Sequence, residues 1–171
     1  MTLTLSGTDG MTAPQGAIYN GLQYATAQTP TTANADFTNI PSWARRVTIV
    51  FSEVSTNSSN QVTIRLSTGG TFATSGYVST AWQGGSGNVF DNSTTAFLVD
   101  AGNQTSASSR NGIVTLINIT GNTWVESGNV SRDTQVINAS AGRIALGGTL
   151  DGVRVLSNGL FDAGTINVFW E

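Results

Sequence analysis

Apolar and polar residues alternate with a period of two along most of this chain, most clearly in residues 40–55, IPSWARRVTIVFSEVS. Pro41 has no N–H to give to a ladder, so residues 42–46 read as a loop. Val47, Ile49 and Phe51 then fall on one face and Thr48, Val50 and Ser52 on the other. β-Branched and aromatic residues fill the run, which predicts a strand over 47–54 with one apolar face. The same alternation predicts strands at 61–67, 77–82, 96–99, 112–120, 123–127, 134–138, 143–150, 153–157 and 165–170. In the second of these Val62, Ile64 and Leu66 point inward and Thr63 and Arg65 outward; Arg143 and Arg154 take outward positions in theirs. Clusters of Gly, Ser and Asn, such as STNSSN, QGGSGN and ASAGR, read as the turns between strands. No helix-length window carries an apolar stripe of period 3.6, and no internal repeat is present.

Short strands joined by polar loops predict an all-β fold, an antiparallel β-sandwich that is jelly-roll-like, with an extended N-terminal arm. An immunoglobulin-type sandwich is the competing topology, but its Cys and core-Trp spacing is missing. The arm is residues 1–36, where Gly7, Asp9-Gly10, Pro14 and Gly16 are turn residues and TPTTANAD is a polar linker. Ile18, Tyr19, Leu22 and Tyr24 give it apolar groups with which to dock. The body is residues 37–171. At 171 residues the chain fits one core that buries roughly 70% of the unfolded surface.

The composition narrows the function classes. The chain has 25 Thr, 18 Ser, 20 Gly and 15 Asn, and all 7 of its cations are Arg. Few long flexible side chains means little rotamer entropy lost when surfaces press together. Such a surface suits close packing against a neighbour or a place outside the cell. A net charge of −3 without a cationic patch argues against nucleic acid. No apolar run approaches the roughly 20 residues of a membrane span, so no membrane insertion is expected. The N-terminus shows neither the basic nor the apolar region of a secretory signal. Six Asn-x-Ser/Thr triplets occur, at Asn57, Asn92, Asn103, Asn118, Asn129 and Asn138, where this composition yields about four by chance, so no glycosylation is read from them.

Missing residue types exclude most chemistry. Without His or Cys there is no His-based triad, no Cys nucleophile and no His/Cys zinc site. Without Lys there is no Schiff base and no Walker lysine. Ten acidic residues leave carboxylate catalysis open in principle, but most stand beside Gly, Asn or Ser, where Asp is ordinary turn chemistry. The chain is therefore expected not to be an enzyme and to need no cofactor. Asp91 in DNSTT and Asp100 in DAGN offer oxygen ligands for calcium, yet neither matches a spaced ligand ladder, and an Asx turn is the simpler reading. No metal site is expected.

The aromatics are the remaining candidates. Trp82 precedes the polar loop QGGSGNVF, and Tyr77 lies on the same predicted strand. An indole flanked by amides and hydroxyls is what a sugar-stacking site uses. Tyr77, Trp82, Gln83 and Asn88 are the candidate ligand-binding residues; core packing of Trp82 is the competing reading. Trp43, Arg45 and Arg46, in the loop before the strand at 47–54, are candidates for a subunit contact.

Residues 37–55, FTNIPSWARRVTIVFSEVS, resemble a module of tailed-phage virion proteins that runs Phe-x-x-Ile-Pro-x-x-x-(Arg/Lys)-Arg-(Ile/Val)-Thr and then Phe-x-x-Val-Ser. Residues 148–171, GTLDGVRVLSNGLFDAGTINVFWE, resemble its closing Gly-x-Leu-x-x-(Val/Ile)-Arg and Phe-Asp-x-Gly-x-Ile-Asn-(Ile/Val) pattern. Residues 70–77, GTFATSGY, fit its middle, and residues 5–16, LSGTDGMTAPQG, are similar to the segment leading into tail-fibre knobs. The resemblance implies a compact, homotrimeric β-sandwich exposed on the virion, at the tail or the capsid. Its partners would be itself, other virion proteins through the arm, and a host cell-surface glycan or receptor. The implied function is a tail-fibre or adhesin-type module, binding through loops at one end; residues 81–90 and 102–112 are the candidate loops. No shaft repeat precedes the body, so a capsid decoration (cement) or head-fibre protein is the alternative expectation.

Overall fold

The computed structural model describes the backbone of residues 4–6, 10–12, 18–19, 21–85, 87–102, 105–106, 108–133 and 136–171, and side chains within these ranges from residue 21 onward. The described residues contain no helix. The strands are β1 (Thr4–Ser6), β2 (Gly10–Thr12), β3 (Ile18–Tyr19), β4 (Gln23–Tyr24), β5 (Asn34–Thr38), β6 (Arg46–Thr56), β7 (Val62–Thr68), β8 (Thr71–Phe72), β9 (Val78–Gly84), β10 (Val89–Ser93), β11 (Phe97–Leu98), β12 (Arg110–Thr120), β13 (Thr123–Arg132), β14 (Val136–Ala145), β15 (Gly152–Ser157) and β16 (Phe161–Trp170).

All pairings are antiparallel. An eight-stranded sheet has the order β10-β9-β14-β13-β12-β6-β16-β4, and a smaller sheet the order β11-β7-β15-β5 with β8 on β7. β1, β2 and β3 form a separate three-stranded sheet. From β5 onward the chain passes back and forth between the two large sheets, so distant strands become neighbours: β15 lies between β5 and β7, and β16 beside β6. This wrapping is the connectivity of a jelly roll. The meander β12–β13–β14 fills the place between β6 and β9 that one strand could occupy, and β16 and β4 extend the sheet beyond β6.

The core lies between the sheets. Val47, Ile49 and Phe51 of β6 face Val62, Ile64 and Leu66 of β7 and Val153 and Val155 of β15 within one buried cluster. Each such side chain, fully buried, contributes roughly 1.5–3 kcal/mol of transfer free energy. The alternation that predicted these strands is therefore the alternation that fills the core.

Three elements differ from expectation. Residues 34–36, the end of the expected linker, form β5 together with Phe37 and Thr38 and pair with β15; Ala35 and Phe37 are buried while their neighbours are exposed. The expected arm–body boundary after residue 36 falls inside this strand. Residues 23–28 also run along β16, with Ala25 N donating to Val168 O and Gln28 N to Ile166 O, each at 2.8 Å. The rest of the expected arm falls largely outside the described residues. Val89–Ser93, read as loop, is β10 and pairs with β9. The ASAGR cluster, read as a turn, lies inside β14, which runs unbroken from Val136 to Ala145. Its small residues answer to packing: a Cβ on Gly142 would stand 2.6 Å from the Phe97 ring. Gly here marks a close approach rather than a turn.

Candidate functional site, the Trp82 cleft

Trp82 lies on β9, on the face of the eight-stranded sheet turned away from the core. Its neighbours on that strand, Ala81 and Gln83, point inward and are buried. The six-membered ring of the indole rests on Gly84, where an added Cβ would be 2.5 Å from it. The glycine of the WQGG sequence is therefore what lets the ring lie down on the strand. Across the ladder Trp82 pairs with Phe90 of β10 and Ala139 of β14. Phe90 is 68% exposed and Ala139 is small, so the indole is flanked by open surface.

Trp82 forms one wall of a cleft of about 610 Å³ that also includes Gly85 and Asn88 of the β9–β10 turn, Ser131 and Asp133 at the end of β13, and Ile137 of β14. Asp133 is held in place by its own backbone, in the left-handed region at φ 53°. Its N–H donates to Ser109 O and its Oδ1 accepts from Ser109 N, both at 2.9 Å, leaving Oδ2 toward Arg132 Nε at 3.9 Å. Arg132 Nη1 in turn donates to Gln83 Oε1 at 2.9 Å. The result is an apolar floor of indole and Ile137 with an amide, a hydroxyl and a carboxylate on the rim. That arrangement can stack the C–H face of a pyranose and hydrogen-bond its hydroxyls.

Of the four ligand-binding candidates, Trp82 and Asn88 meet in this cleft and the other two do not. Gln83 points to the opposite side of β9 and supports Arg132. Tyr77 is a core residue: it is 1% exposed and packs edge-on against Phe97 with ring centroids 4.9 Å apart. Its hydroxyl accepts from Leu66 N at 2.9 Å, and burial pushes its pKa up to about 12, partly offset by that bond. Alternation explains both misplacements, since Tyr77, Ala81 and Gln83 share one parity and Trp82 has the other. Ser131, Asp133 and Ile137 were missed because they join Trp82 only through the β9–β14 and β13–β14 ladders, which no local pattern shows.

The subunit-contact candidates cluster beside the C-terminus. Arg45 N and Arg46 N donate to Glu171 O at 2.8 and 2.9 Å, and the Arg46 guanidinium pairs with the Glu171 carboxylate. Arg45 Nη1 donates to Ser42 O and Ala44 O, and Trp43 packs against the core edge.

The carboxylates are occupied elsewhere. Asp100 pairs with Arg110 in the interior, and Asp91 Oδ2 accepts from Gln61 Nε2 and Gly102 N at 2.7 Å, so neither DNSTT nor DAGN presents an open cation ligand set. Among the described residues no three acidic groups gather to hold a metal ion, and Asp133 is the one carboxylate lining the cleft. Glu126, on the inward face of β13, has its pKa raised to about 7 by burial against a weaker opposing bond from Ser140. It is 1% exposed and lies within the sandwich, not in the cleft.

The same outer face continues beyond the cleft. One row crosses it as Phe90–Trp82–Ala139–Asn129–Ile113–Val50–Asn167, and another as Val78–Arg143–Val125–Ile117–Arg46. Val78, Ile113 and Ile117 are 63%, 49% and 48% exposed, and the charged members, Arg143 and Arg46, both stand in the second row. Neither a family model nor a curated protein matches this sequence.

Proposed function

We propose that this chain is a non-enzymatic surface structural protein of a tailed-phage virion, a homotrimeric tail-fibre or adhesin-type module that binds a host cell-surface glycan. The observation that carries the binding role is the Trp82 cleft: an indole laid on Gly84, with Asn88, Ser131 and Asp133 converging on its rim. The virion assignment rests on the motif resemblance at residues 37–55 and 148–171, and a jelly-roll body is consistent with it.

The apolar outer face supports the trimer. Beyond the Trp82 cleft, which stays open for the ligand, that face presents the exposed side chains of Ile113, Ile117 and Ile119 on β12. A second copy of this chain is the proposed occupant, because these branched apolar side chains lose little rotamer entropy on packing.

The same face gives the second reading, a capsid decoration or head-fibre protein whose sheet packs against shell subunits. Electron cryomicroscopy of a particle carrying the protein separates the two. Density at the tail with the Trp82 cleft outward supports the adhesin. Density at the icosahedral lattice points of the head supports decoration and sinks the adhesin.

A further inference from the structure

A second cleft, sharing no residue with the first, lies on the outer face of the smaller sheet where the chain crosses from β10 to β11. It has a volume of about 270 Å³, and its lining includes Thr63, Arg65, Asn92, Thr95, Ser157 and Asn158. Apart from Arg65 the polar groups are neutral hydroxyls and amides. The side-chain amides of Asn92 and Asn158 make no hydrogen bond among the described residues.

Arg65 is the unusual member. It sits directly across the β7–β15 ladder from Arg154. Arg154 is fully engaged: Nε and Nη2 grip the two oxygens of Asp36 at 2.6 Å, and the guanidinium stacks on Phe72 at 4.2 Å. Arg65 has no such partner. Its Nε donates to Thr95 O at 3.1 Å, which fixes the guanidinium at the cleft wall, and among the described residues no carboxylate pairs with it. Nη1 and Nη2 are therefore left with donors unspent. A planar fork with open donors, on a positive pair of strands, is the arrangement that takes a carboxylate in bidentate fashion. The surrounding amides and hydroxyls fit a ligand that is hydroxyl-rich as well as anionic.

We infer that this cleft is a binding site for a carboxylate-bearing sugar, with Arg65 receiving the carboxylate and Asn92, Asn158 and Thr63 the hydroxyls. The site is independent of the Trp82 cleft and does not rest on that reading.

The test is titration calorimetry of the intact chain with a short oligogalacturonate and with the same oligosaccharide after carboxyl reduction. The acidic form should bind at least ~10-fold more tightly than the reduced form, the scale of a charge-assisted bidentate pair. Arg65→Gln should abolish that preference and Trp82→Ala should leave it intact. If Arg65→Gln does not fold, Arg65→Lys, which keeps the charge and loses the fork, should lower the preference several-fold. Equal binding of the two forms, no binding of either at millimolar concentration, or a preference that survives loss of the Arg65 fork overturns the proposal. A preference lost in Trp82→Ala instead assigns the ligand to the other cleft and overturns it equally.

Discussion

Asp100 and Arg110 form an ion pair with no exposed side-chain surface on either partner. The loop after β11 and the start of β12 are held together by it. Asp100 Oδ1 also accepts from Val62 N at 3.1 Å, and Arg110 Nη1 donates to Ser108 O at 3.2 Å. Burial pushes the Asp100 carboxyl up, while the Arg110 guanidinium and the Val62 N–H pull it back. Removing one partner leaves a charge buried without compensation, which costs about 3–5 kcal/mol. Asp100→Leu and Arg110→Met should each destabilise by that order in chemical denaturation. The double variant Asp100→Leu with Arg110→Met should be more stable than either single one. A double variant whose loss equals the sum of the two single losses would show that the pair is not coupled.

Glu126 makes stability depend on pH in a defined direction. Its carboxyl titrates at about 7 in the fold, against an ordinary value of 4.5, because burial disfavours the charge. Between those values the folded chain holds a proton that the unfolded chain has released, so stability falls as pH rises through this window. The loss is roughly 3 kcal/mol by pH 7 and above. Its Oε2 has no hydrogen-bond partner among the described residues, which adds to the cost of ionisation. Glu126→Gln should flatten this part of the profile and be more stable than the parent at pH 8. Melting curves from pH 4 to pH 8 check it; a parent profile that rises across the window contradicts the assignment.

The β6–β16 ladder carries paired irregularities at Glu53 and Gly164. Both have left-handed φ, 55° and 86°, and a Cβ on Gly164 would stand 2.3 Å from Glu53 O. The register slips on either side of Ala163. Gly164→Ala should therefore cost at least about 2 kcal/mol, the scale of backbone strain with no room to relax. Thermal unfolding measures it, and a variant as stable as the parent would mean the bulge can flatten.

If the outer face of the eight-stranded sheet joins copies of this chain, a charge at its centre breaks the assembly. Ile113 lies in the middle of its row, between Val50 and Asn129. Because Ile113 is half exposed in the single chain, Ile113→Glu should change monomer stability by little and shift a trimer to monomer in light scattering. A parent that is already monomeric at high concentration defeats the trimer proposal, as does an Ile113→Glu variant that remains trimeric.

The fold was legible where one face of a strand is buried and the other is wet. β6, β7 and β15 show this alternation directly, and their inward residues are the core. It was not legible where small residues serve packing. Ala139 to Gly142 read as a turn because Gly, Ser and Ala are turn-like in composition, but they run through the middle of β14, where Gly142 lies against the Phe97 ring. β5 was hidden because only Ala35 and Phe37 of its residues are apolar. In the site, Trp82 and Asn88 could be found because both belong to one hairpin. Asp133 could not, since its proximity depends on the order in which β9, β14 and β13 pair. Arg65 was placed correctly on an outer face, but its lack of an acidic partner emerges only when Asp36 is seen to engage Arg154.

The most direct test of the proposed function is binding of the purified chain to an array of bacterial surface polysaccharides, alongside Trp82→Ala. Trp82 is outward and rests on Gly84, so its removal should leave the fold intact and empty the cleft of its stacking surface. We expect the parent to bind a small set of glycans and Trp82→Ala to lose them by tenfold or more, as the stacking of a sugar on an indole implies, at ~1–2 kcal/mol. A parent that binds nothing on the array, or a Trp82→Ala pattern indistinguishable from the parent, would contradict a glycan-binding role for this cleft.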